Sequence, residues 1–102
     1  MKVISIQLIN GAEIIGKFDE NESNDVAICV VDPIRLIETQ DARGNTGLAF
    51  APWSFSVSES SVSFFMQAMV RYPMVVSPQV EQQYIQVTTG IVVPEQGKIL
   101  HG

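Results

Sequence analysis

Residues 3–18 read VISIQLINGAEIIGKF, two apolar runs on either side of Asn10-Gly11. In the first run Ile4, Ile6 and Leu8 alternate with Ser5 and Gln7, the period-two pattern of a strand with one buried face. Asn-Gly between alternating runs is the strongest short hairpin signal, because a type I′ turn needs positive φ at both central residues. Residues 12–18 return as the second strand, with Gly16 inside it. A glycine within a strand marks a sharp bend, a bulge or a close backbone approach. A hairpin whose second strand bends hard points to a small curled sheet, and a curled sheet points to a barrel.

Beyond the hairpin, residues 19–25 (DENESND) form a polar, mostly acidic loop rich in turn formers. Residues 26–31 are almost continuously apolar and β-branched, as in a strand buried on both faces. Asp32-Pro33 interrupts them, since proline removes a ladder donor, and predicts a bulge, an edge or a break. The extended pattern resumes at residues 34–37. The turn cluster QDARGNT (residues 40–46) joins it to residues 48–50 as a second hairpin. A long insertion follows at about residues 51–63, opening with Ala51-Pro52-Trp53 and rich in serine. Residues 64–70 read as a strand, with a helix as the competing reading. Arg71-Tyr72-Pro73 is expected to turn the chain before a short last strand at residues 74–76. Ser77-Pro78 then starts a helix over about residues 78–89, serine as N-cap and proline in the first turn. Val80, Tyr84 and Val87 give that helix one apolar stripe. Gly90 is its expected C-terminal cap, and residues 91–102 form a tail.

The chain has 102 residues, enough for one domain. Its 46% hydrophobic content is high for so small a core, and oligomerisation is the simplest way to cover the surplus. No apolar run approaches the ~20 residues of a membrane span, and no signal-peptide pattern opens the sequence. The single cysteine, Cys29, falls in an apolar strand and reads as a buried thiol; a reducing, cytoplasmic setting is compatible with it. Eleven acidic and six basic residues give a net charge of −5, which argues against broad electrostatic binding of nucleic acid. The one histidine, His101, lies in the tail, where a catalytic base would be poorly held. No Cys-His or Ser-His set, zinc spacing or phosphate loop is present, and the acidic loop lacks the spacing of a calcium loop. The expectation is a protein that is not an enzyme and needs no cofactor or metal.

The hairpin resembles the first motif of Sm and Sm-like proteins: alternating apolar residues, a leucine, Asn-Gly, then a β-branched residue, a glycine and an apolar residue. Here these are Ile4, Ile6, Leu8, Asn10-Gly11, Ile14, Gly16 and Phe18. The sequence is also similar to small Sm-like proteins of marine phages, which share the hairpin, a later Ala-Pro-Trp and a terminal helix. The resemblance implies a mainly β fold, a strongly bent five-stranded small barrel over residues 1–78. The long insertion lies before the last strands, and a C-terminal helix and tail occupy residues 79–102. The family usually places a helix before the first strand; this chain begins its first strand at Val3. The resemblance further implies a homo-oligomeric ring of five to seven copies, binding single-stranded RNA in RNA processing or regulation. In a phage protein that setting is the host cytoplasm.

Family members contact RNA through two loops. On the first, DENESND, Asn24 matches the family's asparagine, and the usual stacking residue is absent. On the second, Arg71 matches the family's arginine and Tyr72 stands where glycine is usual. Each candidate has a plainer role beside it: Asn24 as a turn residue, Arg71 as partner of a carboxylate, Tyr72 as packing at a strand end. Arg43-Gly44-Asn45 looks like the family's Arg-Gly-Asn but reads as an ordinary turn from its position. Trp53 is either an interface anchor for another protein or core filling. The rival to RNA binding is an interaction ring that keeps the fold without RNA, and a monomeric barrel is the third reading.

Overall fold

The computed structural model describes residues 1–54 and 56–89. These residues are mainly β, with one α-helix among them after the last strand. The strands are β1 (Val3–Leu8), β2 (Glu13–Asp19), β3 (Ala27–Gln40), β4 (Thr46–Pro52), β5 (Ser61–Phe65) and β6 (Met69–Val75), followed by helix α1 (Pro78–Thr89). All pairings are antiparallel. The order is β4-β3-β2-β1-β6, with β5 also on β3. Among the described residues the sheet has six strands rather than the expected five, and it does not close into a barrel.

The extra strand follows from one bend. Asp32 takes φ 51°, in the left-handed region, and Pro33 follows it. A non-glycine residue there is uncommon, though aspartate tolerates it better than most. The pairing with β2 skips a residue at this point. The two halves of β3 thereby take different outer partners: residues 27–31 pair with β5 and residues 34–40 with β4. Gly16 makes room for the bend. A Cβ on it would overlap Val30 Cγ1 and stand 3.1 Å from the Val31 carbonyl oxygen.

Both hairpins form where the sequence places them, but the first turn is of a different type. Gly11 alone has positive φ (91°); Asn10 does not. The Gly11 N–H donates to the Leu8 carbonyl (2.9 Å) and the Leu8 N–H to the Ala12 carbonyl (2.8 Å). This is a three-residue loop closed by a left-handed glycine. Asn10 Oδ1 accepts the Ala12 N–H at 2.9 Å, so the asparagine braces the turn with its side chain. The loop at Asp41 repeats the arrangement, with Gly44 at φ 83°.

The strand reading of residues 64–70 needs correction. A turn of 3₁₀ helix at Met66–Ala68 separates β5 from β6, and β6 then runs unbroken through Arg71, Tyr72 and Pro73. The expected turn at those residues does not form. Proline is tolerated because β6 is an edge strand, where its missing N–H breaks no ladder. A register shift against β1 absorbs the irregularity. The insertion is also shorter than expected, residues 53–60, because β4 reaches Pro52 and β5 begins at Ser61.

The sheet is apolar on both faces. On one, Ile4, Ile6, Leu8, Ile14, Ile28, Val30 and Phe64 form the larger core. On the other, Val3 and Ile15 meet Tyr84 of α1, flanked by Ile34, Leu36, Phe50 and Val80. Each fully buried Ile or Val contributes roughly 1.5–3 kcal/mol. Ser77 starts the helix as expected, its Oγ accepting the Val80 N–H at 3.4 Å. Tyr84 is fully buried, and its hydroxyl donates to the Asp32 carbonyl at 2.7 Å, tying the helix to the bend. Burial, and then the nearby Asp32 charge, push that hydroxyl's pKa far up. Val87 is 36% exposed, while Gln83 and Gln86 are buried instead, so the helix packs on a broader face than the apolar stripe. Gly90, the tail and His101 lie outside the described residues.

Candidate functional site

The acidic loop is a folded turn. Asp19 Oδ1 accepts the N–H groups of Asn21 (3.2 Å) and Glu22 (3.4 Å). Ser23 Oγ donates to the Asp19 carbonyl (2.7 Å) and accepts the Cys29 N–H (2.9 Å). Asn24 is exposed. Its Oδ1 accepts the N–H groups of Val26 (2.8 Å) and Ala27 (3.0 Å), the turn role set beside it above. These bonds engage the amide oxygen and leave its NH₂, two donors, facing solvent. Cys29 is buried; burial pushes its thiol pKa up, and the charges of Asp19 and Glu22 add to this. A thiol held protonated is a poor nucleophile. Among the described residues no three His, Cys, Asp or Glu side chains are placed to hold a metal ion.

The segment beside this loop is the turn between β5 and β6. The Met66 N–H donates to the Val26 carbonyl at 2.8 Å, and Phe65 pairs with Ala27. Phe65 is 64% exposed. An aromatic surface thus stands near Asn24, supplied by the end of β5 rather than by the loop. The sequence held a signal for it. In Phe64-Phe65, consecutive residues of a strand, one ring must face the core and the other must face away. Phe64 is the buried one.

Arg71 and Tyr72 lie elsewhere, within β6. Arg71 donates to the Ser5 carbonyl (3.1 Å) and Ser5 Oγ (2.7 Å), and pairs with Glu13 (3.5 Å). Ser5 Oγ in turn donates to Glu13 at 2.6 Å. The guanidinium therefore clamps β6 to β1 and β2, the carboxylate role anticipated for it. Tyr72, next along the strand, is 72% exposed. The three RNA candidates are therefore not gathered on one loop pair: Asn24 stands by Phe65 and the Met66–Ala68 turn, and Arg71 is held farther along β6.

Trp53 is half-buried, edge-on to Phe64 with ring centroids 5.0 Å apart. Its indole N–H is buried and finds no acceptor among the described residues. It therefore fills core and also lines a groove between the end of β4, the serine-rich loop and the end of α1. Arg43-Gly44-Asn45 is part of the β3–β4 turn, with the Arg43 and Asn45 N–H groups donating to Asp41 Oδ1 at 2.8 and 2.9 Å. No family model matches this chain, and no curated protein does.

Proposed function

We propose that this chain is an Sm-like subunit that joins its copies edge to edge into a ring, β6 of one copy pairing with the free side of β5 in the next. The observation that carries this is the state of β6. Among the described residues it is paired on one side only, to β1, and Val70, Tyr72, Met74 and Val75 along it are 58–72% exposed. An edge with unpaired backbone groups and a row of apolar side chains is a template for another strand. Contacts between two different edges run head to tail, and such contacts close into rings when the rotation permits. In this reading β1, β2, β3, β5 and β6 correspond to the five strands of an Sm-like fold, and β4 is an added hairpin arm. Light scattering tests assembly: the parent chain elutes as one discrete oligomer of about five to seven copies. A Tyr72→Lys, Met74→Lys variant elutes at the 11.2 kDa of one chain with its circular dichroism unchanged. A parent that is itself monomeric overturns the proposal.

A second reading, single-stranded RNA binding by the ring, is favoured by the exposed Phe65 beside the free Asn24 amide. A ring face can stack a base, and an amide can pair with a base edge. The net charge of −5 and the engaged Arg71 side chain stand against it and favour the interaction ring. Titration of labelled oligo-U against a matched duplex decides. Single-strand-selective binding that weakens about tenfold in Phe65→Ala supports RNA, given ~1–3 kcal/mol per stacked base. No binding at micromolar protein and low salt leaves the interaction ring.

A further inference from the structure

The outer side of β4 is a second edge of the sheet, and among the described residues nothing pairs with it. Soluble proteins guard such edges with charges, bulges or proline. β4 reads Thr-Gly-Leu-Ala-Phe-Ala-Pro, seven residues without a charge. Its pairing with β3 runs from Pro52 to Thr46 without a register shift, so no bulge turns the edge away. Pro52 is the one guard, and it stands at the end of the strand, where a missing N–H breaks one bond at most. The nearest charges of the arm lie one strand back, Arg35 and Glu38 on β3, and in the turn, Asp41 and Arg43.

We infer that this edge pairs with β4 of a second copy, antiparallel about a two-fold axis through Ala49. The contact is isologous, so one strand must complement itself. β4 does. In this register Thr46 meets Pro52, Gly47 meets Ala51, and Leu48 meets Phe50. Phe50 belongs to the core under α1, whereas Leu48, on the same face of the strand, is 43% exposed. Each copy's Leu48 thereby covers the other's Phe50. Charge agrees with this occupant. The β3–β4 turn of the second copy comes to the Pro52 end of β4, where Asp32 and Glu59 line the groove beside Trp53. Asp32 is paired with Lys17, and Asp41 in the turn accepts the N–H groups of Arg43 and Asn45. Arg43 and Glu59, both exposed and in no ion pair among the described residues, then face each other across the contact, twice by symmetry. One short strand per copy is less than the ~800 Å² per partner of a stable interface, so the contact is weak in dilute solution. It does not depend on the β6 edge; where each copy sits in a ring, it joins two rings.

Disulfide trapping tests the register in the full chain. Opposed residues of an antiparallel pair have Cα atoms about 4.5–5.5 Å apart, inside the span of a disulfide. Residue 49 opposes itself, whereas the two copies of residue 47 are about 14 Å apart. Cys29 is buried and does not compete. Under copper-phenanthroline, Ala49→Cys is expected to give the two-chain band at least about tenfold faster than Gly47→Cys or Ala51→Cys alone. Gly47→Cys mixed with Ala51→Cys is expected to link as Ala49→Cys does. Adding Leu48→Lys to Ala49→Cys is expected to slow linking to the Gly47→Cys rate, with circular dichroism unchanged. Equal rates for all three single variants, or no linking, overturn the proposal and leave the edge to another occupant. Ala49→Cys is also tested in the Tyr72→Lys, Met74→Lys chain. Linking that persists there supports a contact of its own. Linking that vanishes there assigns it to copies held by the β6 edge and overturns the β4 pairing, while leaving the ring reading intact.

Discussion

Gly16 is where one side chain's absence lets two strands meet. It lies opposite Ile4 on β1, and the bend of β3 crosses it so closely that Val30 occupies the space of a Cβ, with Val31 and Pro33 in tight contact beside it. Val30 is 1% exposed and cannot swing clear without disturbing the larger core. Gly16→Ala is therefore expected to destabilise the fold by about 1–3 kcal/mol, the usual cost of overpacking. Urea denaturation reads this as a lower midpoint with an unchanged slope; an unchanged midpoint would mean that β3 can step back. That Gly16 marks a bend, a bulge or a close approach was legible in the sequence, because a glycine interrupts an alternating strand. What approaches was not legible, since it depends on Asp32, sixteen residues on from Gly16, taking a left-handed conformation. Arg71 shows the opposite limit. Its match to a family position suggested a ligand contact. Its partners, Ser5 and Glu13, become neighbours only once β1, β2 and β6 are aligned.

Among the elements, hairpins and helix were the most legible, because each is specified by residues close in sequence. Turn type was less so: Asn-Gly marks a tight hairpin, but one extra loop residue, Ile9, changes which residue needs positive φ. The β5–β6 region was misread because the signal for a turn, Pro73, sits on an edge strand that tolerates it, while the real break at Met66-Gln67-Ala68 contains no turn former. The β3–β4 turn offers a pH test. The N–H groups of Asn45 and Arg43 hydrogen-bond the Asp41 carboxylate and hold its pKa below the ordinary 3.8. A depressed folded pKa means the contribution is complete above the unfolded value and is lost as pH falls through the folded one. The turn is thus expected to stay ordered at pH 5 and to loosen below about pH 3.8. The Arg43 and Asn45 amide resonances should move together in that window, and Asp41→Ala should remove the acid transition. Resonances that move only above that window would assign the turn's order to another group.

At the scale of the whole molecule, two tendencies oppose each other. Apolar groups on β6 and at Phe65 favour covering by a second copy, while a net charge of −5 on every copy resists bringing copies together. Salt screens the repulsion and leaves apolar burial in place, with a Debye length near 10 Å at 0.1 M. Self-association through β6 is therefore expected to strengthen as ionic strength rises. RNA binding has the reverse dependence, because each neutralised phosphate releases counterions whose return salt favours. Sedimentation of the parent chain at about 0.05 and 0.5 M salt, with and without labelled oligo-U, separates the two contributions. An oligomer that tightens with salt while RNA dissociates supports an apolar ring with a local nucleic-acid site. An oligomer that falls apart with salt would mean that copies are joined by ion pairs rather than by the β6 edge. The residues to search would then be Glu20, Glu22 and Asp25 before β3, and Arg35 and Arg43 in its second half and the turn after it.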